Sequence, residues 1–293
     1  GTNIKAGEYT LGRFDPVNGT NWNRGYFFDK DAVEHFAKTV TREESIEGIK
    51  QRFRAHLSNA IDNKLAEPWG LGLAQQLNLK LQQMAVNADF VLDLHNGPVS
   101  TRHVYIPEYA KDSAKLFNIP HCIFIPNVFA GALDEATFCP WWTLQESIKT
   151  NLDREISFNV EAFTLEMGSQ EVIDFNEGNI DATSILSYLN AKGVLHECDI
   201  KPKAMQRLGV YLKDYKTLFT NWGGMVEYMA KPGQTVKKGE PLAQILNIDD
   251  LDTDNGSRTL EAPCDLIPIL HFPSASVLSG TQLYKVFTNY REL

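Results

Sequence analysis

Two spacings of apolar residues divide this chain. From Asp29 to about Asn87 apolar side chains recur every three or four positions, the period of an amphipathic helix. Asp31 reads as the cap of a first helix and Thr41-x-x-Glu44 as the capping box of a second. Leucine and glutamine at helical spacing continue the pattern through 69–84. The period then shortens. Phe90-Val91-Leu92-Asp93-Leu94 is apolar and β-favouring except for Asp93, which predicts a strand buried on both faces of a parallel or mixed sheet. A helix over 110–117 and a short buried strand at His121-Cys122-Ile123-Phe124-Ile125-Pro126 come next. Phe138-Cys139-Pro140-Trp141-Trp142 is expected to precede a helix ending near Asn151, with Trp141 and Trp142 as packing residues or a wall of a pocket. A strand over 160–165 would present Glu166, and a helix over 180–191 would start from Asn179 or Asp181.

Strands alternating with helices predict an α/β fold, a mixed and mainly parallel sheet flanked by helices. After about Pro202 the pattern becomes short, roughly alternating strands at 209–212, 224–228, 241–247 and 283–287, separated by glycine or charged turns. The expected division is an α/β domain over 1–203 and a smaller all-β domain over 204–293. Gly223-Gly224-Met225-Val226 and Lys231-Pro232-Gly233-Gln234-Thr235-Val236-Lys237-Lys238-Gly239-Glu240 resemble the biotinyl/lipoyl-like barrel-sandwich hybrid, with glycines in tight turns and Val236 packed inside. A carrier role is not expected, because no exposed Met-Lys-Met-like hairpin is present. The β-domain is expected to shape or shield a pocket, or to form an oligomer contact.

Chemistry concentrates at two strand ends. Open α/β sheets bind ligands beyond the carboxyl ends of their strands, which places His95 and Glu166 where reactions are sited. A neutral imidazole is the commonest metal ligand; it can equally cap a loop. Near the start, Arg13 and the Asn23-Arg24 pair lie in a polar, turn-rich segment. The arginine fork suits a carboxylate or a developing oxyanion, although either arginine alone reads as a solvated charge.

In order, Arg13, Asn21-Trp22-Asn23-Arg24, Asp93-Leu94-His95 and Thr164-Leu165-Glu166-Met167-Gly168 resemble the motifs of the succinylglutamate desuccinylase/aspartoacylase family, zinc-carboxypeptidase-like deacylases. The resemblance implies His95 as a zinc ligand, Glu166 as general base and acid, Arg13 as polariser of the scissile carbonyl, and Asn23 and Arg24 as holders of a substrate carboxylate. His103, eight positions after His95, is expected to line the site and help position substrate. Asn21 stands where many relatives carry Asp. The family draws its other two zinc ligands from a His-x-x-Glu motif ahead of the first arginine. No histidine precedes Arg13 here, so a segment carrying the first strands and both ligands is expected to be missing from the given sequence.

The function implied is zinc-dependent removal of an acyl group from a small N-acyl amino acid or related amide. The alternatives are a metallo-carboxypeptidase acting on short peptides, or an inactive, incomplete relative acting as a binding module. Composition narrows the partners. With 293 residues, 43% hydrophobic and 22% charged, the chain is long enough for one large core and an appendage. Its net charge of -9 offers no basic stripe to nucleic acid or to an anionic membrane. Four cysteines without a CxxC pair read as reduced thiols, and no apolar run reaches the roughly 18 residues of a membrane span. A cytoplasmic enzyme of small-molecule substrates is expected, with a homo-oligomer as the default assembly. His35 and His56 read as solvated helix positions; His121, His196 and His271 add no second metal site.

Overall fold

The computed structural model describes residues 2–5, 8–11, 14–15, 19–170, 172–196, 198–253 and 256–293, with 2–5 and 8–11 as backbone alone. In chain order the elements are β1 (Thr2–Lys5), β2 (Glu8–Leu11), α1 (Lys30–Ala37), α2 (Ile46–Leu65), α3 (Leu73–Ala85), β3 (Phe90–Gly97), β4 (Val99–Ser100), β5 (His103–Pro107), β6 (His121–Ile125), α4 (Leu133–Leu152), β7 (Glu161–Ser169) and α5 (Phe175–Ala191). The later elements are β8 (Leu208–Tyr211), β9 (Tyr215–Phe219), β10 (Gly224–Tyr228), β11 (Pro241–Leu246), β12 (Ser257–Glu261), β13 (Ile267–His271), β14 (Ser276–Val277), β15 (Gln282–Phe287) and β16 (Arg291–Glu292). The chain divides into two compact units, 1–93 with 127–163, and 94–126 with 164–293.

The first unit is helical. The Asp29 carboxylate accepts from Ala32 N–H at 3.0 Å and starts α1, and the Ser45 hydroxyl accepts from Gly48 N–H at 3.1 Å and starts α2. Ser45, four residues beyond the expected Thr41 box, is therefore the cap of α2. Val33 and Phe36 of α1, Ile49 and Phe53 of α2, and Trp141, Leu144 and Ile148 of α4 pack as one core with Phe158 and Val160. The Glu135 carboxylate accepts from Ala130 and Ala132 N–H at 2.7 and 3.0 Å and fixes the entry to α4. That entry overrides Pro140: the expected helix start after Trp142 moves back to Leu133, and the proline sits inside the helix. Burial of Phe138, Trp141, Leu144 and Ile148 along one stripe outweighs the lost proline N–H.

The sheet that places the chemistry falls mostly in the second unit, with residues 90–93 of β3 and 161–163 of β7 counted in the first. Strand order is β16-β8-β6-β5-β7-β3. The β5–β6 and β6–β8 pairs are parallel, and β5–β7 and β8–β16 antiparallel. β3 and β7 run in the same direction, since Glu161 N–H donates to the Asp89 carbonyl near one end and Gln170 N–H to the Gly97 carbonyl near the other. The sheet is thus mixed and mostly parallel, as the alternating elements predict. β6 is buried at every position, which explains its unbroken apolar run. β3 is not: it lies at the sheet edge and Leu94 is 49% exposed, so the expectation of a strand buried on both faces is corrected. An apolar run alone does not separate a central strand from an edge strand.

β1 and β2 pair antiparallel, and eight strands, β4 and seven of the later ones, form two four-stranded antiparallel sheets, β12-β11-β10-β14 and β4-β13-β15-β9. Leu242, Ala243, Ile245, Leu266, Leu283, Tyr284 and Val286 form their core, and Val236 packs inside as its turn context predicts. The Tyr284 hydroxyl is satisfied by the Leu242 carbonyl at 2.6 Å. Gly224 has a φ of +148°, and a Cβ there would lie 2.2 Å from the Leu246 carbonyl oxygen, so only glycine fits.

Candidate active site

Register fixes the first group of residues. Across β7 and β5, Glu166 stands opposite His103 and Thr164 opposite Tyr105; across β5 and β6, His103 stands opposite His121. Residues opposite one another share a sheet face, so Glu166, His103 and His121 form a lateral row, with Thr164 and Tyr105 one step along it. Tyr215 from β9 lies on this row, its ring centroid 6.2 Å from His103 and 6.3 Å from Tyr105. Phe287 from β15 lies 5.7 Å from both Tyr215 and His121. The β-rich segment therefore lays aromatic side chains over the row that carries Glu166.

Burial sets the charge states. His103 is fully buried, and its Nδ1 donates to the Thr101 carbonyl at 2.9 Å, which leaves Nε2 as the unprotonated nitrogen. Burial lowers its pKa to about 4, with smaller contributions from His121 and Lys285, against the raising effect of the Thr101 bond. His103 is neutral at pH 7, and its buried Nε2 has no hydrogen-bond partner among the described residues. Burial also pushes the His121 pKa down, its Nδ1 facing the Arg102 carbonyl at 3.2 Å. Burial, together with Tyr105 and the Glu166 carboxylate, holds the Tyr215 phenol well above its usual range, so it stays a protonated donor.

The far end of β7 is shaped by a glycine. Gly168 has a φ of +98°, and its carbonyl accepts from the Ser100 hydroxyl at 2.9 Å. The Ser169 hydroxyl in turn accepts from Ser100 N–H at 3.1 Å. The Thr-x-Glu-x-Gly spacing thus combines a strand that carries Glu166 with a left-handed residue two positions later, one before the strand stops at Ser169. His95 is half-buried near the carboxyl end of β3, in the same unit as Glu166 and His103. Arg102 donates to Asp181 at 2.5 Å and pairs with Glu177, tying the start of β5 to α5. That helix begins at Phe175 with Asp174 as cap, earlier than the sequence predicts.

Asn23 and Arg24 belong to the other unit. The Asn21 side chain accepts from Asn23 N–H at 3.0 Å and Arg24 N–H donates to the Asn21 carbonyl at 3.0 Å, a tight turn built by the residue that replaces aspartate. Two buried polar residues of α3 hold the backbone from Arg24 to Phe27. Asn78 donates to the Arg24 carbonyl at 2.6 Å. The Gln82 amide both donates to the Phe27 carbonyl at 2.5 Å and accepts from Phe27 N–H at 2.9 Å. Gly25 at φ +86° and Gly131 at φ +101° let the two backbones approach, with Tyr26 N–H donating to the Gly131 carbonyl at 3.4 Å. Arg24 itself is exposed, and Asn23 half-buried. Burial, then the carboxylates of Asp93 and Asp134, push the Tyr26 phenol up to about 12.

Of the residues singled out in the sequence, Glu166 and His103 are direct sheet neighbours, His95 shares their unit, and Asn23 and Arg24 sit in the other. Arg13 lies outside the described residues. Tyr105, His121, Tyr215 and Tyr26 were missed. Tyr105 was findable, since it lies two residues from His103 and so on the same strand face; Tyr215 arrives from a distant strand with no local signal. His56 is corrected from a solvated position to a half-buried ring 5.1 Å from Phe36, with its pKa lowered by burial. Trp141 is core, 3% exposed.

A zinc site needs about three protein donors around one point. Among the described residues no three His, Cys, Asp or Glu side chains converge in that way, and His95 is the one donor the motifs assign. The donors among the described residues do not by themselves make up a zinc site.

The mostly parallel sheet sets the acid-bearing Thr-x-Glu-x-Gly strand β7 beside the Asp-x-His strand β3 at its edge, which makes this a protein of the α/β class. The sequence signature described as the succinylglutamate desuccinylase/aspartoacylase catalytic domain matches residues 4–191, and the chain belongs to that family. Among solved structures, a succinylglutamate desuccinylase/aspartoacylase family protein from Shewanella frigidimarina NCIMB 400 is 44% identical with a TM-score of 0.93, over 99% of this chain and 77% of that one. A family protein from Shewanella amazonensis SB2B is likewise 44% identical, TM-score 0.93, over 99% of this chain and 79% of its own. A succinylglutamate desuccinylase/aspartoacylase from Rhodobacter sphaeroides, 16% identical with a TM-score of 0.61 over 96% of this chain and 70% of its own, shares the fold. No curated protein matches the chain. The family is one of deacylating hydrolases, and among the described residues no helix is long and apolar enough to cross a membrane.

Proposed function

We propose that this chain is an amidohydrolase that removes the acyl group from a small N-acyl amino acid, releasing a carboxylate and a free amine. The observation that carries the reading is the placement of Glu166 beside a histidine held neutral by burial, on a strand shaped by Gly168. Glu166 takes a proton from the attacking water and returns it to the departing amine. His103, fully buried beside Glu166 on the same sheet face, acts on substrate by positioning its neighbours. Arg13 serves as the donor to the developing oxyanion, and Asn23 and Arg24 take the carboxylate of a small-molecule substrate; these roles rest on the family motifs. The zinc cofactor belongs to this reading through the family alone, with His95 as its one assigned donor. A cytoplasmic location, no nucleic-acid partner and a β-rich segment over 204–293 that shields the pocket complete it.

The test is hydrolysis of a panel of N-acetyl and N-succinyl amino acids, followed as free amine with zinc supplied. The expected result is turnover that Glu166→Gln lowers by about 10² to 10⁴ with the unfolding temperature unchanged. Full turnover by Glu166→Gln sinks the assignment of the base. Binding of the acylated amino acids without turnover by the wild-type chain replaces the enzyme with a binding module, and preference for short peptides replaces it with a carboxypeptidase.

A further inference from the structure

Two buried polar atoms beside Glu166 have capacity that no described residue uses. One is His103 Nε2, the acceptor end of a neutral ring whose Nδ1 donates to the Thr101 carbonyl. The other is the Tyr215 hydroxyl, a protonated donor. The neighbouring Tyr105 ring packs edge-on to Tyr215 at 6.3 Å between centroids and leaves that hydroxyl without a bond. Both atoms are sealed from solvent, so a segment packed against the outside of this unit would not reach them. Leaving either bare is unfavourable, and their capacities are complementary, one accepting and one donating. The two rings lie 6.2 Å apart between centroids, and Glu166 stands opposite His103 across β7 and β5. All three residues belong to one compact unit.

We propose that these groups form a buried site for one water, which joins His103 Nε2, the Tyr215 hydroxyl and the Glu166 carboxylate and makes His103 and Tyr215 positioning residues for the base. The water donates one hydrogen to Nε2 and one to the carboxylate, and accepts from the phenol. That is about three hydrogen bonds, the usual number for a water inside a protein. A carboxylate offers about four acceptor sites, so Glu166 takes this bond alongside its others. Phe287 at 5.7 Å from the Tyr215 ring, and the Lys285 Nζ 5.1 Å over it, cover this side of the site. A hydrogen bond donated to Nε2 favours the neutral imidazole, in keeping with the His103 pKa of about 4. Strand register fixes the Glu166 backbone, and the water fixes the rotation of its carboxylate, keeping one oxygen turned to the substrate. The positioning role rests on the reading of Glu166 as the base; the water does not.

A high-resolution crystal structure of the full chain should place one water within about 2.7 to 3.2 Å of all three groups. Nitrogen NMR of the histidine-labelled chain reads the same site in solution. The His103 signals, identified by their loss in His103→Gln, should show a proton on Nδ1 and an Nε2 that accepts a hydrogen bond. Tyr215→Phe keeps the ring and removes the hydroxyl, so the fold should stand while the Nε2 signal moves. A dry site, a proton on Nε2, or an Nε2 signal indifferent to Tyr215→Phe would each overturn the proposal. On acylated amino acids, Tyr215→Phe should lower kcat about ten- to a hundredfold with KM unchanged, as expected when a catalytic group is misplaced. An unchanged kcat removes the positioning role. If no acylated amino acid is turned over, the deacylase reading fails and the positioning role with it, while the crystal structure and the spectrum still decide the water.

Discussion

Glu166 and the 21–27 segment are held by different kinds of interaction. Glu166 sits in the body of β7, where strand pairing with β5 dictates its neighbours residue by residue. Asn23 and Arg24 sit in a turn whose shape depends on individual side chains: Asn21 within the turn, and Asn78 and Gln82 reaching from α3 to its backbone. A sheet spreads the cost of one substitution over a ladder of bonds, so a changed side chain alters chemistry and leaves the frame standing. A turn held by two amides concentrates its stability in them. Substitutions should therefore separate activity from stability in the first region and join them in the second.

The sharpest break is Glu166→Gln, whose loss of about 10² to 10⁴ in turnover should come with no change in unfolding temperature. Next is pH. The unfolded chain protonates a histidine near 6.5, whereas burial holds His103 in the fold at about 4. Its contribution is complete above 6.5 and is lost as pH falls towards 4, up to about 3 kcal/mol for that interval. His121 and Lys285 face His103 and other half-buried histidines titrate too, so the readout is a difference. Urea unfolding of wild type and His103→Gln, compared from pH 7 to 4.5, should show the steeper acid loss in wild type; parallel curves would mean that His103 is hydrated. Gln82→Leu tests the other region. It strands the Phe27 N–H and carbonyl together, and should cost about 1 to 3 kcal/mol in thermal unfolding and raise KM for the acylated substrate more than it lowers kcat. An unchanged KM would detach the 21–27 turn from substrate binding.

The same contrast explains what could be read from sequence. Apolar runs located β3 and β7, and both strands extend past the expected ends to include His95 and Glu166. The β-rich stretch after Pro202 was legible in its glycine turns, but its first strand, β8, joins the six-stranded sheet beside β6. Asn78 and Gln82 were not, because a buried amide in a helix is spelled like an exposed one until its partner is known. The partner here is about 55 residues away. Tyr215 was hidden for the same reason, and Pro140 misled because a helix stop signal yields when four large side chains around it are buried.

The smallest effect isolates backbone strain. Gly168 adopts a φ of +98°, and a Cβ built there meets no atom within 4 Å, so Gly168→Ala introduces no clash. What remains is the penalty of a left-handed conformation for a residue with a Cβ, about 1 to 2 kcal/mol. The chain can relieve that penalty by relaxing towards negative φ, which would turn the Gly168 carbonyl away from the Ser100 hydroxyl. Thermal unfolding reads the strain, and turnover reads the relaxation. A stability loss with unchanged kcat means that the ladder holds Glu166 against the strain; a fall in kcat with little stability loss means that the strand yields and carries its carboxylate with it. The first outcome is expected, since β7 is paired on both sides and the glycine lies beyond the last registered pair with β5, His103 with Glu166.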